Sequence, residues 1–308
     1  MNAGLEKEYK KYLEYKAIFE KRDYSEQMDE IIGKEFPVLD HGYIRVIDYM
    51  GTDKSVVDAA RVSYGEGTRA VSDDKNLIRY LYKHGHMTPF EMCSLKIQIR
   101  TTMDTWRQII RQRTAKVNEY STRYSIAIRD MAETSPDSWR IQSKDNKQGS
   151  CGFLDETKGI YFSNKESEFH NYALELYNER LDAGIAREQA RKDLPLSTYT
   201  VAYWKIDLRN LFNFLSQRLD SHAQKEIRSY ANILGDIVSK WVPYSWESFN
   251  NYDFRQDAKI FSKYELICLS KLLRGEKQLD EIIKNENNLS KREKLEFKEK
   301  IQSLITLE

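Results

Sequence analysis

Arg111-Gln112-Arg113-Thr114-Ala115-Lys116-Val117-Asn118-Glu119-Tyr120-Ser121-Thr122-Arg123-Tyr124-Ser125 gathers three arginines, an acid, amides and several hydroxyls into one short run. Arginine offers a planar fork of donors that matches a phosphate in two-point contact. Serine and threonine add short-range hydrogen bonds, and Glu119 and Asn118 can read sugar hydroxyls or base edges. The run therefore reads either as a site for an anionic ligand with polar edges, a nucleotide or a phosphate, or as a solvated basic loop. Loops of the second kind are usually lysine-rich and lack aromatic residues.

Any such site has to be local. The chain has 308 residues, 40% of them hydrophobic, and 49 basic against 48 acidic side chains. It can bury a full core, but it lacks the excess positive field on which a general nucleic-acid or membrane-surface binder depends. Cys93, Cys151 and Cys268 are the only cysteines. Their odd number and wide spacing indicate neither a disulfide framework nor a structural zinc site, and a reducing cytoplasm fits best. Residues 1–15 are charged throughout, and no later run has the length of a membrane-spanning helix, so neither secretion nor membrane insertion is expected.

Working outward from the run, residues 1–36 read as a charged helical extension ending near Pro37. The compact domain, 37–251, begins with a strand-like stretch, Tyr43 to Met50, and a helix capped around Gly51-Thr52-Asp53. Leu77, Ile78 and Leu81 mark a second helix that Gly85 can end, and Leu95, Ile97 and Ile99 alternate as a half-buried strand does. From Thr105 a helix is expected to run into the arginine stretch, with Arg107 and Arg111 four apart on it. Residues 130–165, with Pro136, Gly149, Gly152 and Gly159, read as an irregular insertion. Helices follow over 169–180 and 186–192, a strand over 198–206 and a helix over 208–218. A further helix carries the apolar stripe Ile227, Tyr230, Ala231, Leu234, Ile237, Val238 and Trp241, and Asp220 and Ser221 are its candidate caps. Residues 252–308 read as a helical tail. The expected fold class is α+β, a mixed sheet flanked by helices with helical extensions at both ends.

Two other clusters could carry chemistry. His84-Gly85-His86-Met87-Thr88-Pro89-Phe90-Glu91 offers two histidines and an acid, but their spacing matches no helical zinc motif; a turn packed against an aromatic ligand suits it better. Between Trp204 and Gln224, the residues Asp207, Asn210, Asn213 and Gln217 recur at helical spacing opposite Leu211, Phe212 and Leu215. That stripe is either a heterocycle-binding face or simply a solvated one. No phosphate-loop motif, dinucleotide glycine fingerprint or serine elbow is present, which disfavours a familiar ATPase or dehydrogenase.

Several ordered blocks together resemble the flavin-dependent thymidylate synthases. The signature of that family is an Arg-His-Arg triplet, seven residues, then Ser; here Ser121 stands at that distance from Arg113, with Asn118-Glu119 inside and Ser121-Thr122-Arg123-Tyr124-Ser125 at its end. The likeness extends to Ala60-Arg61-Val62-Ser63, His84 to Glu91, Arg107-Gln108, Ala190-Arg191, Leu194-Pro195-Leu196, and Asn213 through Gln224. It covers roughly residues 40–250.

The resemblance implies reductive methylation of dUMP to dTMP, with methylenetetrahydrofolate as carbon donor, FAD as redox mediator and NADPH as reductant. It implies that Gln108, Arg111, Glu119, Ser121, Thr122, Arg123, Arg191 and Arg218 hold the nucleotide, with Arg218 catalytic against the uracil ring. It also implies that Ser63, His86, Thr88, Arg111, Gln112, Arg113, Glu119, Asp207 and Asn213 line the flavin, with no metal. A homotetramer with sites shared between subunits is implied as well. Three positions depart from the family pattern: Gln112 replaces the central His, Lys116 stands where Ser is usual, and Asp207 stands where Asn is expected. Glutamine keeps a hydrogen bond but cannot stack as an imidazole or carry a proton near neutral pH, and an ionised Asp207 only accepts. Action on C5 of another pyrimidine nucleotide such as UMP, or a catalytically silent nucleotide-binding homologue, are the alternatives that these departures leave.

Overall fold

Strand β2 (Gly42–Met50) buries Ile44, Val46 and Tyr49; one inserted residue breaks the alternation, and the register with its neighbour shifts between Val46 and Asp48. This is a β-bulge. Strand β1 (Glu35–Val38) lines one side of β2 and β3 (Ser94–Thr102) the other, and β3 in turn pairs with β7 (Tyr199–Asp207), whose free side takes the short strand β4 (Lys116–Glu119). The order β1-β2-β3-β7-β4 is antiparallel at every ladder. A computed structural model of the chain describes residues 22–62, 73–144, 149–253, 255, 258–275 and 278–305. It is an α+β protein whose sheet is flanked by helices.

Two compact units divide the chain, Met1–Phe249 and Asn250–Glu308. In the first, the sheet packs against helices α2 (Asp53–Arg61), α7 (Leu208–Arg218) and α8 (Lys225–Trp241). All seven residues of the expected stripe on α8 are buried. Burying each large apolar side chain is worth about 1.5–3 kcal/mol relative to exposure, and the stripe is what fastens α8 to the sheet. Its polar atoms are also satisfied: Trp241 Nε1 donates to the Gly51 carbonyl at 2.7 Å and the Tyr230 hydroxyl to the Arg100 carbonyl at 2.7 Å. Met28 and Ile31, within the stretch expected to be a charged extension, belong to this same core, and β1 contributes a strand there. The second unit has its own core of Cys268, Ile282, Ile283, Leu289, Phe297 and Ile301, and its helix Lys263–Leu273 begins with a capping box between Ser262 and Glu265.

Among its described residues, the region expected to be irregular contains regular elements. It holds a two-stranded hairpin, β5 (Arg140–Gln142) with β6 (Ser150–Phe153), and then α5 (Glu156–Asp182), capped by Asp155. Strands of three and four residues are too short to display alternation, and Gly159, which reads as a turn former, is helical. A Cβ there would stand 1.9 Å from the Pro136 carbonyl oxygen, so its role is close approach between backbone segments.

Candidate active site

The site is built around the arginine run, which leaves the core and returns as the edge strand β4. Helix α4 (Met103–Ile109) ends earlier than expected, so Arg107 and Arg111 do not share a helix. Past Ile109 the chain tightens, with the Arg111 amide donating to Gln108 at 3.3 Å and that of Gln112 to Ile109 at 3.1 Å, both three residues back. Arg111 and Arg113 are thereby exposed on a turn, and β4 follows in register with β7: Lys116 faces Lys205, and Glu119 faces Ala202.

Glu119 is held at both carboxylate oxygens. Trp106 Nε1 donates to Oε2 at 2.9 Å and Thr200 Oγ1 to Oε1 at 2.8 Å. Both donors are buried, one on α4 and one on β7, and the Tyr120 amide adds a bond to the Val201 carbonyl at 2.8 Å. Trp106 and Thr200 are absent from the expected residues: what makes them matter is the pairing of β4 on β7, which brings Thr200 beside Glu119.

Beyond β4, Arg191 donates through Nη1 to Thr122 Oγ1, Arg123 pairs with Glu188 at 3.0 Å, and Arg187 Nη1 donates to the Tyr124 carbonyl at 2.5 Å. Three of the expected nucleotide residues, Thr122, Arg123 and Arg191, thus lie on one connected surface. The Arg123 amide donates to Ser121 Oγ at 3.4 Å, and Gln108 donates to Gln224 Oε1 at 2.6 Å.

At the other end of β7, Asp207 caps α7. Its Oδ1 accepts from the Asn210 amide at 2.9 Å, and its Oδ2 from Asn210 Nδ2 at 2.7 Å. Gln112 Nε2 reaches Asn210 Oδ1 at 3.4 Å and Thr114 Oγ1 at 2.9 Å. Asp207 and Gln112 are therefore joined through Asn210, while Asn213 is exposed one helical turn further on. Thr200 and Asp207 are separated by roughly 20 Å along the strand at about 3.3 Å per residue, so the Glu119 and Asp207 clusters lie toward opposite ends of β7.

The histidine turn is set by Gly85, whose φ of 72° lets it close helix Asp74–Lys83. The His86 amide bonds back to the Leu81 carbonyl at 2.9 Å and that of Gly85 to Tyr82 at 3.1 Å, the paired bonds of a Schellman motif. His86 and Thr88 are left exposed, the His86 ring parallel to Tyr80 with centroids 6.0 Å apart. Arg209, next to Asn210, reaches back to Glu91 and ties this turn to α7. Ser63 lies outside the described residues.

Arg218 ends α7. Burial pulls its guanidinium below its ordinary pKa, and Nε is buried without a hydrogen-bond partner among the described residues. An uncommitted buried donor on a group that stays cationic fits an anionic or carbonyl-bearing ligand. Asp220 and Ser221 do not cap α8. Asp220 instead accepts from the His222 amide at 2.7 Å and faces His222 Nδ1 at 2.8 Å, and the N-cap position falls to Gln224, whose side chain makes no capping bond.

The family described as thymidylate synthase complementing protein matches residues 45–244. A flavin-dependent thymidylate synthase of Wolbachia pipientis is 44% identical over 273 residues, 89% of this chain and 94% of that protein. The chain belongs to the flavin-dependent thymidylate synthase family. A second flavin-dependent thymidylate synthase, from Ruegeria pomeroyi, is 43% identical over 286 residues, covering 91% of this chain and 92% of that protein. Among solved structures, the UMP/dUMP methylase PolB from Streptomyces cacaoi, bound with 5-Br dUMP, superposes with a TM-score of 0.63 at 30% identity, over 72% of this chain and all of that one. Every candidate residue described above falls inside the family match, and the Asn250–Glu308 unit falls outside it.

Proposed function

We propose that this chain converts dUMP to dTMP, taking its one-carbon unit from methylenetetrahydrofolate with bound FAD and NADPH as reductant. The observation that carries the reading is Arg218: a half-buried guanidinium whose Nε has no partner among the described residues. Pyrimidine C5 becomes nucleophilic either by addition of a thiolate to the ring or by stabilising negative charge on it. Cys93 is fully buried with its thiol pushed up to about 12, Cys268 is buried with its pKa raised by the same cause, and Cys151 lies exposed on the hairpin. Arg218 supplies the second route, as a fixed cation beside the developing charge.

In this reading Arg218 faces the uracil ring and favours its ionised form. Arg111, Arg123 and Arg191 take the phosphate, Ser121 and Thr122 add hydroxyl contacts, Gln108 orients the nucleotide, and Glu119 contacts both ligands. Ser63, His86, Thr88, Arg111, Gln112, Arg113, Asp207 and Asn213 hold the flavin, which supplies hydride from NADPH and mediates one-carbon transfer. The other residues orient the partners and exclude water. A homotetramer with shared sites is part of the proposal. Tyr161, Phe162, Phe169 and Tyr172, exposed along α5, are suited to burial against another copy. We also place the protein in the cytoplasm, where its three free cysteines stay reduced.

UMP as the acceptor is the second reading, favoured by the likeness to a methylase of both UMP and dUMP. The test of the proposal is growth rescue of a thymidine-requiring cell, with the native chain and with Gln112→His. Rescue by the native chain supports the proposal. Rescue by Gln112→His alone defeats it, because position 112 would then have cost the native protein this activity.

A further inference from the structure

We propose that Asn210 is a positioning residue that couples Gln112 to Asp207, so that these two side chains act as a matched pair in holding the flavin. The inference rests on the reading of the site given under Proposed function and adds to it a specific hydrogen-bond order.

The order follows from donor and acceptor capacity. An ionised Asp207 can only accept, and its Oδ2 lies 2.7 Å from one end of the Asn210 side chain, so that end must be the amide nitrogen. The orientation of Asn210 is therefore dictated, and its Oδ1 must face position 112. There it meets Gln112 Nε2 at 3.4 Å, a donor meeting an acceptor. The same Nε2 donates to Thr114 Oγ1 at 2.9 Å. Both amide hydrogens of Gln112 are thus committed, and the group it has left for a ligand is its Oε1, an acceptor. Asparagine at 207 would remove the constraint, because either end of its amide could face Asn210, which could then turn and present an N–H to position 112. A neutral imidazole there, with a bare ring nitrogen, would suit that arrangement; a glutamine Nε2 would oppose it.

Asp207 also caps α7, and a cap alone would explain its bond to the Asn210 backbone. The two roles separate cleanly, since asparagine caps a helix about as well as aspartate. As a cap, Asp207→Asn should be nearly silent whatever stands at 112. As part of a relay, its effect must depend on residue 112.

The experiment is a double-mutant cycle on FAD affinity, measured by flavin fluorescence, for the native chain, Gln112→His, Asp207→Asn and the pair, with unfolding midpoints to verify folding. Gln112→His alone should weaken FAD several-fold, Asp207→Asn alone should change it by less than about twofold, and the pair should bind at least about fivefold more tightly than the product of the two effects. Repeating the cycle in an Asn210→Leu background, or Asn210→Ala if leucine is not accommodated, should abolish the coupling. Single effects that multiply to within about twofold overturn the inference, as does coupling that survives loss of Asn210. A native chain that binds no FAD defeats the reading of the site and the inference with it, whereas FAD binding with independent effects defeats the inference alone.

Discussion

The two ends of the arginine run are anchored differently. At Glu119 both carboxylate oxygens are held within 2.9 Å by buried donors from α4 and β7. At Gln112 the anchor is a half-buried amide on a turn, reaching Asn210 at 3.4 Å. A carboxylate fixed by two buried donors needs no reorganisation when charge changes beside it. A side chain held by one short and one long bond can be exchanged, provided that its partners change too. The contrast fits the departures expected from the resemblance at 112 and 207; nothing in it explains Lys116.

The largest expected effect lies outside both ends. Arg218→Ala should lower turnover of dUMP by about a hundredfold or more, as loss of one charge-stabilising donor typically does, with the unfolding midpoint little changed. Next, Trp106→Phe should raise the nucleotide KM about tenfold, or about 1.4 kcal/mol, by releasing one oxygen of Glu119 while keeping the aromatic bulk. Thr200→Val should act alike and Thr200→Ser should restore the native value; equal KM values for the two would mean that the clamp does not act on nucleotide binding. At the other end Gln112→His should change turnover by less than about tenfold, a smaller response than at Trp106. The smallest effect concerns the cysteines. Burial raises Cys93 to about 12 from 9.0, so the stability it contributes is complete below pH 9.0 and lost as pH rises toward about 12. Iodoacetamide at neutral pH should modify Cys151 and spare Cys93 in the folded protein, as peptide mass mapping would detect.

Much of the scaffold could be read from the residues. Leu208, Leu211, Phe212 and Leu215 spell an amphipathic helix, and α7 spans Leu208–Arg218 as expected. The stripe on α8 and the strand ending at Asp207 are equally local signals, and both appear. What escaped notice depends on contacts between distant segments. The break of α4 at Ile109 is a backbone tightening with no residue that demands it, the hairpin over 140–153 is too short to show a period, and Gly159 is explained only by Pro136. In the site, residue type alone marked the arginine run as suited to an anionic ligand, while the roles of Arg218, Glu119 and Gln112 are implied by the family resemblance. The partners that orient Glu119 and Gln112, namely Trp106, Thr200 and Asn210, come into reach only through the packing of α4, the β4–β7 register and the start of α7.

One measurement tests the central claim most directly. The purified chain, loaded with FAD, is given equal amounts of dUMP and UMP with methylenetetrahydrofolate and NADPH, and the nucleotides are resolved by mass spectrometry. The account predicts dTMP as the main product, lost with Arg218→Ala and retained when Cys93, Cys151 and Cys268 are each replaced by Ala. Methylation of UMP in preference to dUMP, or loss of product on replacing any one cysteine in a protein that remains folded, would contradict it.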